Sequence, residues 1–289
     1  MSLEFSAKLP AELPGTVPVY RLQVPEPGPA SAGRLMELSK RMGMRGRAHD
    51  TVSSDDWTMH LEGPWELGVH SRSGTTVGRH RERYQRPGDR QFELSDDEAT
   101  NVATRFIERV ELVPLDEARP RGITHLRTAG GEMGGEPTET AVVDAGVVIG
   151  RRIKDIAVDG PGGFSMVNTN ADGDVVGFRS IWRPISDVVT EVEILPPDVA
   201  YESMQRIASS VRGDVEVTKA TFGYFEQGIL DPQSFLQPAY MLVYTVRDED
   251  VAFGSAEVIA AAEKVFEPLA GPKRFGDRRQ RQRETPVEQ

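Results

Sequence analysis

"LSDDEATNVATRFIERV", residues 94–110, carries the clearest local signal in the chain. Ser95 and Glu98 have capping-box spacing, in which each side chain satisfies an amide left unpaired at a helix start. Asp96 and Asp97 suit the positive end of a helix dipole. Ala99, Val102, Ala103, Phe106, Ile107 and Val110 recur at helical spacing and form one apolar stripe. The segment therefore reads as an amphipathic helix. Strands are expected after it at about 123–128, 139–149, 164–169 and 175–182, separated by the glycine-rich "GGEMGGEP" and "DGPGG".

The same order appears on either side. From Ser31, "SAGRLMELSKRMG" sets Leu35, Met36, Leu38 and Met42 mostly on one helical face, and "WTMHLE" and "WELGVH" then alternate as strands. A three-residue loop, Glu62-Gly63-Pro64, would set Leu61 opposite Trp65 and Met59 opposite Leu67, with every apolar residue on one face. A third strand is expected over Thr75 to Tyr84. After Pro196-Pro197 come a helix over about 198–210 and the strands "DVEVTKATFGYF" and "AYMLVYTV". Ser255 then reads as the cap of a last helix burying Val258, Ile259, Ala262, Phe266 and Leu269.

A helix followed by antiparallel strands cannot be a doubly wound sheet, which needs a helix between successive parallel strands. The expectation is an α+β fold of repeated helix-plus-antiparallel-sheet modules in two or three packed units. Residues 1–30 would be an extended Pro-rich arm around "VPVYRLQV" and 31–90 a helix-plus-hairpin module. A second module would span 91–190, a third with a C-terminal helix 191–270, and a basic disordered tail 271–289.

Composition narrows the chemistry. Across 289 residues, 34 Lys and Arg stand against 45 Asp and Glu, a formal charge of -11, and many of the basic residues sit in "KRFGDRRQRQRE" near the C-terminus. The body is thus acidic enough to repel a phosphate backbone, so no nucleic-acid partner is expected. The absence of cysteine excludes disulfides, zinc–thiolate sites and cysteine nucleophiles. No apolar run approaches bilayer length, so membrane association would need a segment absent from this chain.

The apparent chemical motifs have structural explanations. "NTNADGDVVGF", residues 168–178, begins like a calcium loop, yet Arg179 stands where a bidentate glutamate is required, and strands flank it. Asp172-Gly173 reads instead as a two-residue type I′ turn with Val167 opposite Phe178 and Thr169 opposite Val176. His49, His60, His70, His80 and His125 lack zincin spacing, and His80 is flanked by arginines. "GPGG" leads into a strand rather than a helix, and neither G-x-S-x-G nor S-x-x-K occurs. No catalytic residue, metal ligand or cofactor is assigned. Binding is expected around Trp182, Tyr224 and Phe225, because "FGYFEQGILDPQSFLQPAYMLVY" has aromatics on both strand faces.

"SDDEATNVATRFIERV" with its following strands resembles a PepSY-type module. "WELGVHSRSGTTV" is similar to that module's terminal hairpin, with Gly74 at the turn, although His70-Ser71 stands where acids are usual. "VVIGRRIKDIAVDGPGGFSMVNTNADGDVVGFRSIWRPI" resembles part of the multi-module extracytoplasmic proteins related to PepSY, YpeB and YycH/YycI regulators. The resemblance implies a non-enzymatic, extracytoplasmic protein that binds or restrains a protein or peptide partner such as a peptidase or sensor kinase. Two further classes stay open: an enzyme with its active site between modules, and a small-ligand carrier using a sheet face.

Overall fold

The structure, a computed structural model, describes residues 2–23, 29–47, 50–83, 92–129, 140–248 and 251–269. His49, the glycine-rich stretch 130–137 and the basic tail 271–289 lie outside them. Three helices form: α1 (Pro29–Arg41), α2 (Asp96–Val110) and α3 (Asp198–Ser210). In α2 the Glu98 amide donates to Ser95 Oγ at 3.3 Å and the Ser95 amide donates to Glu98 Oε2 at 2.9 Å, completing the expected capping box. Its buried residues, Ala99, Ala103, Phe106, Ile107 and Val110, fall within the expected stripe.

The strands of the first half are β1 (Leu3–Phe5), β2 (Thr16–Leu22), β3 (Thr51–Ser53), β4 (Trp57–Glu62), β5 (Trp65–His70), β6 (Thr76–His80) and β7 (Ala118–Thr128). Those of the second are β8 (Ala141–Ile153), β9 (Ile156–Asp159), β10 (Phe164–Thr169), β11 (Val175–Ile181), β12 (Ile185–Glu193), β13 (Asp214–Phe225), β14 (Phe235–Asp248) and β15 (Val251–Ala260). All belong to one mixed sheet of 15 strands in the order β12-β2-β14-β13-β9-β8-β10-β11-β6-β5-β4-β3, with β1 added to β13, β15 to β14 and β7 to β8.

This overturns the expected series of helix-plus-sheet modules. Separate modules would leave β6, β11 and β13 with edges of unpaired amides and carbonyls, and those groups must find partners when buried. The chain pairs them across the intended borders. β6 joins β11 with Gly78 opposite Phe178, where a β-carbon would lie 2.1 Å from the Phe178 ring. β2, from the Pro-rich arm, lies between β12 and β14.

The expected C-terminal helix is also corrected. Residues 251–260 are a strand paired with β14 from Asp248↔Val251 to Ala239↔Ala260. Val258 and Ile259 fit either periodicity, and the long β14 edge supplies a ladder that a helix would leave unpaired.

The β4–β5 register differs by one residue from expectation. The turn is the two residues Gly63-Pro64, with Gly63 at φ 57°, so Glu62 opposes Trp65 and His60 opposes Leu67. A one-residue slip exchanges faces. Leu61 is left 44% exposed, while Thr58 and His60 are buried. The polar face is tolerated because β3, α1 and the segment after α1 satisfy it: Ser53 Oγ lies 3.2 Å from Thr58 Oγ1 and Thr51 Oγ1 lies 3.0 Å from His60 Nδ1. The Glu62 carboxylate accepts from the Arg45 amide at 2.5 Å, the Gly46 amide at 2.8 Å and Ser39 Oγ at 2.8 Å, and lies 3.2 Å from His60 Nε2.

Helices cover two separate stretches of sheet. Leu35 of α1 and Phe106 and Ile107 of α2 pack with Leu67, Val147 and Phe178. Ala200, Met204 and Ile207 of α3 pack with Val217, Tyr240 and Leu242. Between these halves the sheet path narrows to the parallel pairing of β9 with β13, through Tyr224↔Val158 and Phe225↔Asp159.

A buried ionic cluster reinforces that joint. Glu226 is fully buried between Arg151 and Arg183, themselves 2% and 1% exposed. Arg151 Nη1 donates to Glu226 Oε2 at 3.1 Å and to the Arg183 carbonyl at 2.8 Å, while its Nε donates to Glu117 Oε2 at 2.7 Å. The Arg183 amide donates to Glu226 Oε1 at 2.9 Å, and its guanidinium donates to the carbonyls of Gln227, Gly228 and Asp231. Removing one partner from such a cluster leaves uncompensated buried charge. Glu226→Gln is therefore expected to cost about 3–5 kcal/mol in urea denaturation; a loss under about 1 kcal/mol would contradict a structural role for the cluster.

Candidate functional site

None of the three residues expected to contact a partner presents its surface. Trp182 is 4% exposed; its Nε1 donates to Glu117 Oε2 at 3.2 Å and the Arg151 guanidinium lies over its ring at 5.3 Å. Tyr224 is 1% exposed, donates its hydroxyl to the Pro18 carbonyl at 2.8 Å and stacks edge-on against Tyr20. Phe225, on the opposite face, packs with Ala239 and Met241. The aromatics that looked surplus are consumed by packing: Trp182 in the core under α1 and α2, Tyr224 where the two halves meet, and Phe225 against β14.

The histidines are dispersed among separate partners. His60 Nδ1 lies 3.0 Å from Thr51 Oγ1, and His70 Nδ1 lies 3.2 Å from Ser73 Oγ. His125 Nε2 sits 3.3 Å from Asp96. His80 is buried under Trp65, ring centroids 5.1 Å apart, and its Nδ1 accepts from the Glu82 and Arg83 amides at 3.3 and 3.1 Å. Burial and the Arg83 charge hold the His80 pKa below the ordinary histidine range, against the opposing pull of Glu82 and Asp174.

The calcium-like loop is a hairpin with a different turn from the one expected. Val167 does oppose Phe178, but a register shift after Asn168 puts Thr169 opposite Val175. The Gly173 amide donates to the Asn170 carbonyl at 3.1 Å with Gly173 at φ 77°, while Asp172 has no positive φ. A three-residue loop closed by a left-handed glycine replaces the type I′ pair. Asn170 Oδ1 accepts from the Asp172 and Asp174 amides at 3.1 and 2.9 Å and so serves the turn, while Asn168 Nδ2 donates to Asp144 Oδ1.

That turn forms one wall of a cleft of about 720 Å³. Gly173, Asp174 and Val175 face α2, which contributes Val102, Arg105, Phe106 and Arg109 at helical spacing. Pro64 of the β4–β5 turn, Trp65 at the start of β5, His80 at the end of β6 and Arg83 beyond it complete it. Phe178 lies beneath, tilted against both Trp65 and Phe106 at 6.3 and 5.3 Å between ring centroids. Arg83 Nη1 is paired with Asp174 at 3.0 Å.

A smaller groove of about 280 Å³ lies on the sheet face of β13, β14 and β15. Asp159 at its rim sits between Arg121 at 2.6 Å and Lys219 at 3.8 Å, so these charges compensate one another. The cleft beside α2 offers both more room and unspent charge.

No protein-family model matches the chain, and no curated protein does. Among solved structures the fold is similar to that of an uncharacterized protein from Eubacterium rectale ATCC 33656, determined at 1.45 Å. The identity is 10%, the match covers 93% of this chain and 91% of that one, and the TM-score is 0.53. The likeness is one of fold alone.

The cleft's Trp65 wall is set by the Glu62 network. Partial burial would raise the Glu62 pKa, but the Arg45 amide, Ser39 hydroxyl, Gly46 amide and His60 ring hold it at about 2. A depressed folded-state pKa means the carboxylate's contribution is complete above pH 4.5 and is lost as pH falls toward about 2. Glu62→Gln should lower stability at neutral pH by about 1.5–3 kcal/mol and flatten the acid limb of the stability curve over that window. Urea midpoints measured across the window check this; parallel acid limbs for the two proteins would contradict it.

Proposed function

We propose that the protein is a non-enzymatic binding protein that admits a small molecule with an apolar body into the cleft beside α2. The observation that carries this reading is the cleft's lining. Trp65, Phe106, Val102 and Val175 give it an apolar interior, the composition of a binding pocket, and its volume suits a ligand of drug size. Among the described lining residues there is no serine, threonine, cysteine or lysine to act as a nucleophile. The one carboxylate, Asp174, is tied to Arg83. A non-enzymatic role also agrees with what the PepSY resemblance implies.

The reading shifts the binding surface away from Trp182, Tyr224 and Phe225, which are spent in the core. It also favours a carrier or sensor of small molecules over a surface that grips a folded partner, since the apolar side chains here are recessed between α2 and the hairpin.

The probe for this is N-phenyl-1-naphthylamine, a neutral dye that brightens in apolar surroundings. Saturable binding is expected for the natural chain. Val102→Trp, which fills the cleft from the helix side, is expected to weaken it at least about tenfold with an unchanged melting temperature. Equal binding by a folded Val102→Trp protein would show that the cleft is not the site.

A further inference from the structure

We infer that the ligand of this cleft is an organic anion, its charged group held by Arg105 and Arg109 and its apolar body lying against Trp65 and Phe106. The inference rests on the cleft being the binding site and adds the chemical class of what enters it.

Arg105 and Arg109 lie one helical turn apart on α2, so both guanidiniums reach the same side of the helix. Neither has an acidic partner among the described residues. Arg109 rests over the Phe106 ring at 5.7 Å, and Arg83, the third arginine of the cleft, is already neutralised by Asp174. Like charges at this spacing disfavour each other, so the free protein carries a repulsion that an anion between them removes. Guanidinium groups suit the planar or forked oxygens of carboxylate, sulfonate and phosphate, which they can bond two at a time.

His80 adds a donor. Its Nδ1 is committed to accepting from the Glu82 and Arg83 amides, so the neutral ring carries its proton on Nε2. The cleft is thus furnished with donors and cations and has no uncompensated acceptor charge.

The setting sharpens the contrast. The whole chain carries a formal charge of -11, so a basic hollow is not a by-product of a basic protein. On a chain of net negative charge, a recess lined by arginines is a place where an anion is favoured. Arg109 by itself has a second role, because it stands in the last turn of α2 where a cation suits the helix dipole. Arg105 stands a turn earlier, outside that last turn.

Two dyes that share a skeleton separate charge from apolar contact: 8-anilinonaphthalene-1-sulfonate and the neutral N-phenyl-1-naphthylamine. The sulfonate is expected to bind the natural chain about tenfold or more tighter than the neutral dye, the worth of charge-assisted hydrogen bonds. In Arg105→Gln/Arg109→Gln the sulfonate should lose that advantage while the neutral dye is unaffected, and added salt should weaken the sulfonate alone. Equal affinity for the two dyes, with no effect of the double substitution, would overturn the anion inference. If Val102→Trp still blocked both dyes in that case, the cleft would stand as a binding site without charge selection. If Val102→Trp left both dyes bound, the cleft itself would be wrong and the inference would fall with it.

Discussion

Glu226 is a carboxylate with no access to water, placed where the ends of β11 and β13 meet β8. Burial pushes its pKa up, and Arg151, Arg183 and the Arg183 amide work against that rise. A charge in such a place is sustained only by complete hydrogen bonding, and the surrounding chain is arranged to supply it. The same cluster orders what lies around it. Arg183 collects the carbonyls of the 227–231 turn, and Arg151 reaches Glu117 just before β7. Arg183 Nε remains a buried donor without an acceptor, a cost the cluster absorbs. Gly160 and Gly162 allow the β9–β10 connection to run against the Glu226 and Gln227 carbonyls, where a β-carbon would lie 2.4 and 2.3 Å away.

From this joint the sheet extends in both directions, and the cleft is a consequence of how one direction ends. β10 and β11 continue past the α1–α2 core and turn at Gly173, beyond the last layer of buried side chains. β5 and β6 approach from the other side, with the β4–β5 turn pinned through Glu62 to the end of α1 and the residues just after it. α2 lies over the strands between them. Its stripe has two parts: Ala103, Ile107 and Val110 are spent in the core, Val102 borders the cleft, and Phe106 is a core residue whose ring also reaches the cleft. The arginines flank that second part. Arg105 and Arg109 are exposed, and they stand at the mouth of the recess, where they are open both to solvent and to a ligand.

Features whose causes lie within a few residues were legible in the sequence. α2 was readable because its cap and stripe are contained in 94–110, and α3 and most strands were readable from local periodicity. The hairpin at 168–178 was recognised, though the length of its turn was not. Features decided at a distance were misread. Residues 251–260 can bury Val258 and Ile259 as helix or strand, and the edge of β14 decides between them. In β4 the apolar set Trp57, Met59 and Leu61 looked like the buried face, yet the polar set turns inward, with Thr58 and His60 bonded to Ser53 and Thr51 of β3 and Glu62 accepting from Ser39 of α1 and from Arg45 and Gly46 just after it. The repeated helix-then-strands order suggested modules because sequence shows which strands exist but not which edges meet. The cleft was invisible for the same reason. Its residues come from separate segments near 64–65, 80–83, 102–109 and 173–175, and no motif links them.

The central claim is that the ionic joint makes the two helix-covered halves of the sheet one cooperative unit despite the short β9–β13 ladder. Native-state amide hydrogen exchange on the unaltered protein tests it most directly, through the Val147 amide in one half and the Leu242 amide in the other. The account predicts that both amides open with the same free energy, equal to that of global unfolding, and with the same dependence on denaturant. Two distinct opening free energies, one for each half, would show that the halves unfold independently and would contradict it.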